Sequence, residues 1–416
     1  MQTHLSPELS DTAEGKEAAA ILRKCVHCGF CNATCPTYQL LGDELDGPRG
    51  RIYLIKQVLE GAEVTRSTQL HLDRCLTCLN CQTTCPSGVE YGHLVDIGRK
   101  LVEERVARPA ADKAIRWSLK QGLTSRLFGP ALKVGQALRP LLPKILKDKV
   151  PAPARVRAAG QQAAAPATMR AHARKVLMLG GCVQPSMMPN IDRAAARVLD
   201  IAGIQTVYAA GAGCCGALRT HLSDQRGGLA DMRRNIDAWM PLLAAGEVEA
   251  IISSASACAL SIKEYGHALA GDAAYAGKAA RISALARDLS ELLPQIVPAL
   301  KNQLRGGAAK RVAFHAPCTL QHGQGLRGGV EAHLRALGFE VMVAGDESHL
   351  CCGSAGTYSI LQPQLAAQLR DRKLKHLAKT APEIILSANI GCIQHLQSGT
   401  STRVMHWVEL LDEVLV

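Results

Sequence analysis

Sixteen cysteines carry most of the chemistry this sequence can offer, and all of them fall into repeats. Cys25, Cys28, Cys31 and Cys35 are spaced C-x2-C-x2-C-x3-C and followed by Pro36. Cys75, Cys78, Cys81 and Cys85 repeat that spacing, followed by Pro86, each 50 residues after its counterpart. Such a run binds two [4Fe–4S] clusters. Three thiolates on one tight loop can wrap three corners of a cubane, and the fourth, turned away by the proline, ligates the other cluster. The spacing predicts Cys25, Cys28, Cys31 and Cys85 on one cluster, and Cys75, Cys78, Cys81 and Cys35 on the second. Zinc or disulfides would not require two complete copies, each with its proline.

The other eight cysteines form a second repeat. Cys182, Cys214, Cys215 and Cys258 are echoed by Cys318, Cys351, Cys352 and Cys392, at offsets of 136, 137, 137 and 134 residues. The chain therefore reads as a doubled unit followed by a larger doubled unit. Both Cys-Cys pairs precede a glycine, Gly216 and Gly353, which permits unusual backbone angles or close approach. His315 and His349 stand close before Cys318 and Cys351, as residues supporting the thiols rather than as ligands. His27, His71 and His93 read as solvated or capping residues. GAGCCG (211–216) matches G-x-G-x-x-G, but no acid ends a following strand, so it does not read as a nucleotide site.

These residues need elements to hold them. Ile52, Ile55 and Leu59 within 47–61, and Leu94, Ile97, Leu101 and Val102, fall at helical spacing, so the N-terminal half should be mainly helical. Arg49 and Arg51 either donate to cluster sulfide or are solvated charges. In the C-terminal half, strand-like runs at 175–181, 204–213 and 249–257 lead into the cysteines of the first copy. Runs at 311–317, 339–345 and 383–391 do the same in the second. Helical patterns such as 191–202 and 365–378 separate them. The fold class is therefore mixed: a mainly α-helical two-cluster ferredoxin-type domain, then doubled α/β modules with short parallel sheets. The cysteines should sit on loops at the carboxyl ends of neighbouring strands, where open α/β sheets build their sites. The expected division is 1–110 for the ferredoxin-type domain, 111–150 for a basic amphipathic segment, 151–173 for an Ala/Pro linker, and 174–300 and 301–416 for the two cysteine modules.

The net charge of +12 is local. Residues 100–175 hold 17 Lys or Arg against 4 acids, which is +13, so the rest of the chain sums to −1. Within this stretch Ile115, Leu119, Leu123, Leu127, Val134, Leu138, Leu142 and Ile145 recur at helical spacing. That pattern suits either helices packed over the ferredoxin half or a partner, or a basic face lying on a membrane. Nucleic acid is disfavoured, because no aromatics interleave with the charges. No signal peptide and no membrane-spanning run are visible. Cysteines at these spacings in a reducing cytosol point to metal or redox chemistry.

The motifs also resemble a known family. The Cys…Cys-Cys-Gly…Cys modules are similar to the CCG domains of heterodisulfide reductases. The order of double ferredoxin and two CCG domains resembles the iron–sulfur subunits of flavin dehydrogenases, and most nearly those of bacterial glycolate oxidases. The resemblance is carried by CVHCGFCNATCPTYQLLGDELDGPRGRIYLIKQVLEG (25–61), CLTCLNCQTTCPSGVEYGHLVDIGR (75–99), FHAPCTLQHGQ (314–324), HLCCGSAGTY (349–358) and SANIGC (387–392). The sequence departs from the reductase pattern where its third loop would read C-x-x-C. The first of that pair is Ala255 in one module and Asn389 in the other, so each module offers four thiols rather than five. A [4Fe–4S] cluster, zinc, a redox-active thiol pair or metal-free structural thiols all remain open there, with a metal centre on the four thiols of at least one module as the expectation.

The resemblance implies an electron-transfer subunit with two [4Fe–4S] clusters and up to two further Fe–S or Zn centres. It implies no flavin in this chain and no residue that itself oxidises substrate. FAD-binding partner subunits would oxidise glycolate to glyoxylate, or D-lactate. This chain would pass the electrons to a quinone or other acceptor, in the cytoplasm and peripherally on the cytoplasmic face of the inner membrane. Two alternatives are a self-contained thiol–disulfide reductase and the iron–sulfur subunit of a related lactate or glycerol-3-phosphate dehydrogenase.

Overall fold

The structure is a computed structural model that describes residues 1–125, 127–141, 170–301, 303–304 and 310–415. Leu142 and Ile145 of the amphipathic pattern, and residues 151–169 of the 151–173 linker, lie outside the described residues.

The N-terminal half is helical, as its periodicity requires. Helix α1 (Ala13–Lys24) starts at Thr12, whose side chain accepts from the Gly15 N–H, and ends on Arg23 and Lys24, which complement its dipole. Helix α2 (Pro48–Leu59) has proline in its first turn and buries Ile52, Ile55, Val58 and Leu59. These pack with Leu94, Val95, Leu101 and Val102 of α3 (Tyr91–Arg105) in one core. The crossing is close: a Cβ at Gly98 would stand 2.6 Å from Ile55 Cγ1. Helix α2 also brings Arg51 inward. Arg51 is buried rather than solvated, and its Nε donates to His71 O at 2.8 Å. Its guanidinium lies 3.5 Å from the buried Asp46 carboxylate. Arg74 completes that group at 2.8 Å, and His71 Nδ1 lies 3.1 Å from Asp46. His71 is thus a buried core histidine, contrary to the solvated or capping role its sequence suggested.

The C-terminal half contains two all-parallel four-stranded sheets. In the first, β1 (Arg174–Met178), β2 (Ile204–Val207), β3 (Ile251–Ser253) and β4 (Ala286–Asp288) lie in the order β2-β1-β3-β4. In the second, β5 (Arg311–Phe314), β6 (Glu340–Met342), β7 (Ile384–Ser387) and β8 (Arg403–His406) lie in the order β6-β5-β7-β8. The sequence suggested three strands in each. The fourth carries charge, Arg287 and Asp288 in one sheet and Arg403 in the other, and leads into no cysteine, so it does not register as an apolar run of that pattern. The order reverses between the first and third strands of each sheet, which opens a crevice at their carboxyl ends.

The modules share one apolar core, which joins Val176, Val198 and Ile252 to Val312, Leu386 and Trp407. Their third-strand loops also meet: Ser256 N donates to Ala388 O at 3.1 Å, and His406 Nε2 lies 2.9 Å from Ser254 O.

Helices Ala110–Thr124 and Phe128–Leu138 carry the basic segment. Arg116 is buried against Asp73 and Asp112, and Lys120 reaches Asp224 of the first module at 3.7 Å. Their outer side leaves Ile115, Trp117, Val134 and Leu138 exposed. Among the described residues no helix is long and apolar enough to cross a membrane.

Candidate metal centres

Local backbone repetition builds the first two sites. Positive φ occurs at His27 and Gly29 in the first loop and, 50 residues on, at Thr77 and Leu79. These left-handed positions coil each C-x2-C-x2-C loop so that its thiols converge. Cys25, Cys28, Cys31 and Cys85 line one cavity together with His27 and Arg49. Cys35, Cys75 and Cys78 line a neighbouring cavity with Arg51, and Cys81 lies on the wall of both. Cys85 therefore comes to the first loop's thiols and Cys35 to the second's.

Donors already face these sulfurs. Tyr91 Oη donates to Cys75 Sγ at 3.6 Å and the Thr77 N–H donates to it at 3.4 Å. The Thr37 hydroxyl lies 3.3 Å from Cys35 Sγ and receives both terminal nitrogens of Arg51. Arg51 thus reaches this sulfur environment through Thr37. Arg49 stays at the rim, paired with Glu44 at 2.6 Å.

Burial, with Cys25 beside it, pushes the Cys31 thiol up to about 11. Burial and the adjacent Cys78 and Cys75 hold Cys81 well above the thiol range. Cys31 and Cys81 thus resist ionising unaided in a low-dielectric site. An iron centre supplies the positive charge that would make them thiolates, so this donor chemistry fits a metal group.

The cysteine modules place their thiols at the sheet crevices. Cys182 follows β1 and Cys318 follows β5. Cys214–Cys215 and Cys351–Cys352 lie beyond β2 and β6. Cys258 and Cys392 do not sit on loops as expected. They occupy the first turns of helices Ser256–Lys263 and Ile390–Gln397. Cys215 and Cys258 Sγ are 3.5 Å apart. Gly216 and Gly353, at φ 92° and 88°, turn their N–H groups onto Cys214 and Cys351 Sγ at 3.4 and 3.3 Å. In the second module Cys318, Cys351, Cys352 and Cys392 are all buried. His315 joins them, its ring nitrogen and the Cys352 and Cys392 sulfurs all lying within 4.8 Å of one another.

The second module also touches the ferredoxin half. Cys318 and Cys351 lie in one buried cluster, and Cys78 of the ferredoxin half packs against it. Leu76, Tyr358, Leu365 and Leu369 close an apolar seam around that contact. Asn80 donates to His349 O at 3.3 Å, and His322 bridges Thr83 and His349 O at 2.9 Å to each. His349 thus contributes its carbonyl to the seam. Asn80, Thr83 and His322 escape sequence reasoning, because a seam between distant segments leaves no local pattern. His93 is not simply solvated either: it stacks on His267 and lies 3.1 Å from Glu264 of the first module.

Comparison with known proteins agrees with this arrangement. Residues 21–89 match the 4Fe-4S dicluster domain family, and residues 176–263 and 312–397 match the cysteine-rich domain family. The chain is 54% identical over 416 residues to the glycolate oxidase iron-sulfur subunit of Escherichia coli (strain K12), covering 100% of this chain and 99% of that one. It is 26% identical to the probable glycolate oxidase iron-sulfur subunit of Bacillus subtilis (strain 168), over 94% of each. Lactate utilization protein A of Bacillus licheniformis is 27% identical over 57% of this chain and 99% of its own length. Full-length identity above one half, together with the paired cysteine cavities and the doubled crevice modules, makes this chain a member of the glycolate oxidase iron–sulfur subunit family.

Proposed function

We propose that the chain is the electron-transfer subunit of a flavin-dependent glycolate oxidase. It receives electrons from a flavin-bearing partner and delivers them to a quinone or other acceptor. The observation that carries this reading is continuity: two thiol-lined cavities share a wall at Cys81, and the second meets the second cysteine module through Cys78 and Cys318. Iron–sulfur clusters, when bound, supply one-electron redox steps at closely spaced positions.

The ligand sets would be Cys25, Cys28, Cys31 and Cys85, then Cys75, Cys78, Cys81 and Cys35. In the modules they would be Cys182, Cys214, Cys215 and Cys258, then Cys318, Cys351, Cys352 and Cys392. The chain's own residues hold these sets in place, burying all four thiols of the second module and leaving Cys28 of the first loop exposed. Tyr91, Thr77 and the Gly216 and Gly353 N–H groups donate to sulfur, which favours the more negative, reduced state. The domain limits would be 1–110, 111–150, 174–300 and 301–416. The segment 111–150 would dock the complex on the cytoplasmic face of the inner membrane. Its exposed Ile115, Trp117, Val134 and Leu138 among basic residues support that role.

The test is glycolate-driven reduction. Chain purified anaerobically should contain at least about eight iron and eight sulfide, and about twelve or sixteen of each if the modules bind clusters too. Glycolate should bleach its iron–sulfur absorbance only when the flavin-bearing partner is present. Zinc in place of iron on folded protein would overturn the reading. So would disulfide reduction by the isolated chain with no electron uptake from the partner.

A further inference from the structure

The internal duplication lets the two cysteine modules be compared in register, and they differ in a residue beside the thiols, just after the first strand of each sheet. Leu179 follows β1 and His315 follows β5. Each donates its N–H to the third strand of its own sheet, Leu179 to Ile252 O at 2.9 Å and His315 to Leu386 O at 2.8 Å. The two residues therefore occupy the same register. Leu179 is buried in an apolar cluster. His315 is equally buried, at 2% exposure, yet its Nε2 has no hydrogen-bond partner. A buried imidazole nitrogen left unpaired loses the hydrogen bond that water gave it, with nothing in exchange. Its nearest chemistry is sulfur: a ring nitrogen of His315 lies within 4.8 Å of both Cys352 and Cys392 Sγ.

A second substitution points to the same place. Ala255, ahead of Cys258, is matched by Asn389 ahead of Cys392, and Asn389 Nδ2 donates to Cys392 Sγ at 3.8 Å. Apolar residues in one module are thus replaced by nitrogen-bearing ones in the other, beside the same thiols. Neutral imidazole is a good ligand for both iron and zinc, and a thiolate set with one nitrogen is a recognised coordination chemistry for each.

We propose that His315 is a nitrogen ligand of the metal centre in the second module, beside Cys352 and Cys392 and in place of one of the module's four thiolates, so that this module holds a mixed thiolate–imidazole centre and the first an all-thiolate one. The proposal rests on the reading that the modules bind metal. It gives the duplicated modules different redox characters, because replacing thiolate by imidazole raises a cluster's potential. The second module is also the one whose buried thiol cluster has Cys78 of the ferredoxin half packed against it.

The experiment uses the full chain, purified anaerobically and labelled with 15N-histidine. Iron and zinc are counted first, in wild type and in Cys392→Ser. If the metal lost in Cys392→Ser is iron, pulsed EPR of the reduced protein should show a nitrogen coupling of ligand size. It should change with the label, vanish in His315→Leu and persist in His349→Leu. If that metal is zinc, zinc-edge absorption should show one nitrogen among sulfurs, lost in His315→Leu. His315→Cys serves if the leucine variant does not fold, and should retain metal with sulfur ligands alone. Metal bound with sulfur ligation only in wild type overturns the proposal and leaves the metal-binding reading standing. Unchanged metal content in Cys392→Ser overturns both.

Discussion

Cys78, from the second ferredoxin-type loop, packs against the buried cluster that holds Cys318 of the second cysteine module, across the boundary between the two halves. Cys318→Ser is therefore expected to deplete metal from the second module and to slow electron passage beyond the ferredoxin half. The content of about eight iron in that half should remain. Metal analysis and rapid-mixing reduction with the flavin-bearing partner check this. Unaltered kinetics would mean that electrons leave the ferredoxin half elsewhere.

Asp46 is the buried carboxylate that faces Arg51, and it also receives Arg74. Asp46→Ala would strand a buried guanidinium. The expected cost is about 3–5 kcal/mol, measurable by chemical unfolding of the metal-loaded chain. Asp46→Asn keeps a hydrogen-bond acceptor and should cost less.

The α2–α3 crossing depends on the missing side chain at Gly98. Gly98→Ala places a methyl against Ile55 Cγ1 and should destabilise by about 1–3 kcal/mol. Combined with Ile55→Ala, the loss should fall short of the sum of the two single losses. Strict additivity in a double-mutant cycle would count against a direct clash.

His93 gives the contact between the halves a pH dependence. Its hydrogen bond to Glu264, with Glu17 and Asp96 nearby, raises its pKa above the ordinary 6.5, and His93 in turn lowers Glu264 below 4.5. His267, stacked on His93 and paired with Glu17, faces the same group. The His93 contribution is complete below 6.5 and fades as pH rises through its raised folded value. The Glu264 contribution is complete above 4.5 and fades as pH falls through its lowered value. Hydrogen exchange in the Glu264–Ala268 turn should therefore quicken relative to the core as pH rises past neutrality. In His93→Gln that pH dependence should flatten.

Docking of the 111–150 segment on anionic lipid would bury Trp117. Trp117→Ser should then weaken binding to vesicles containing anionic phospholipid roughly tenfold or more. Unchanged sedimentation with vesicles would assign the exposed face to a protein partner instead.

The ferredoxin cysteines were legible because cluster chemistry fixes both residue type and spacing, and the doubled modules because duplication left an offset to measure. The strand-like runs were legible where apolar and β-branched residues lead directly into a cysteine. Arg51, Asp46 and His71 were not. A charged group that is buried because its partners arrive from three segments looks, in sequence, like a solvated one. His315 was visible beside Cys318, but its importance depended on the register that pairs it with Leu179. The first-turn positions of Cys258 and Cys392 were missed because helix starts are set by backbone geometry after a short strand.

The exchange of Cys35 and Cys85 between the two loops has a consequence for inheritance. Each cavity draws on both copies of the duplicated 50-residue unit, so neither copy can decay while the other keeps a complete site. A duplication normally frees one copy to drift. Here the interlock removes that freedom, and losing a single loop empties two sites at once.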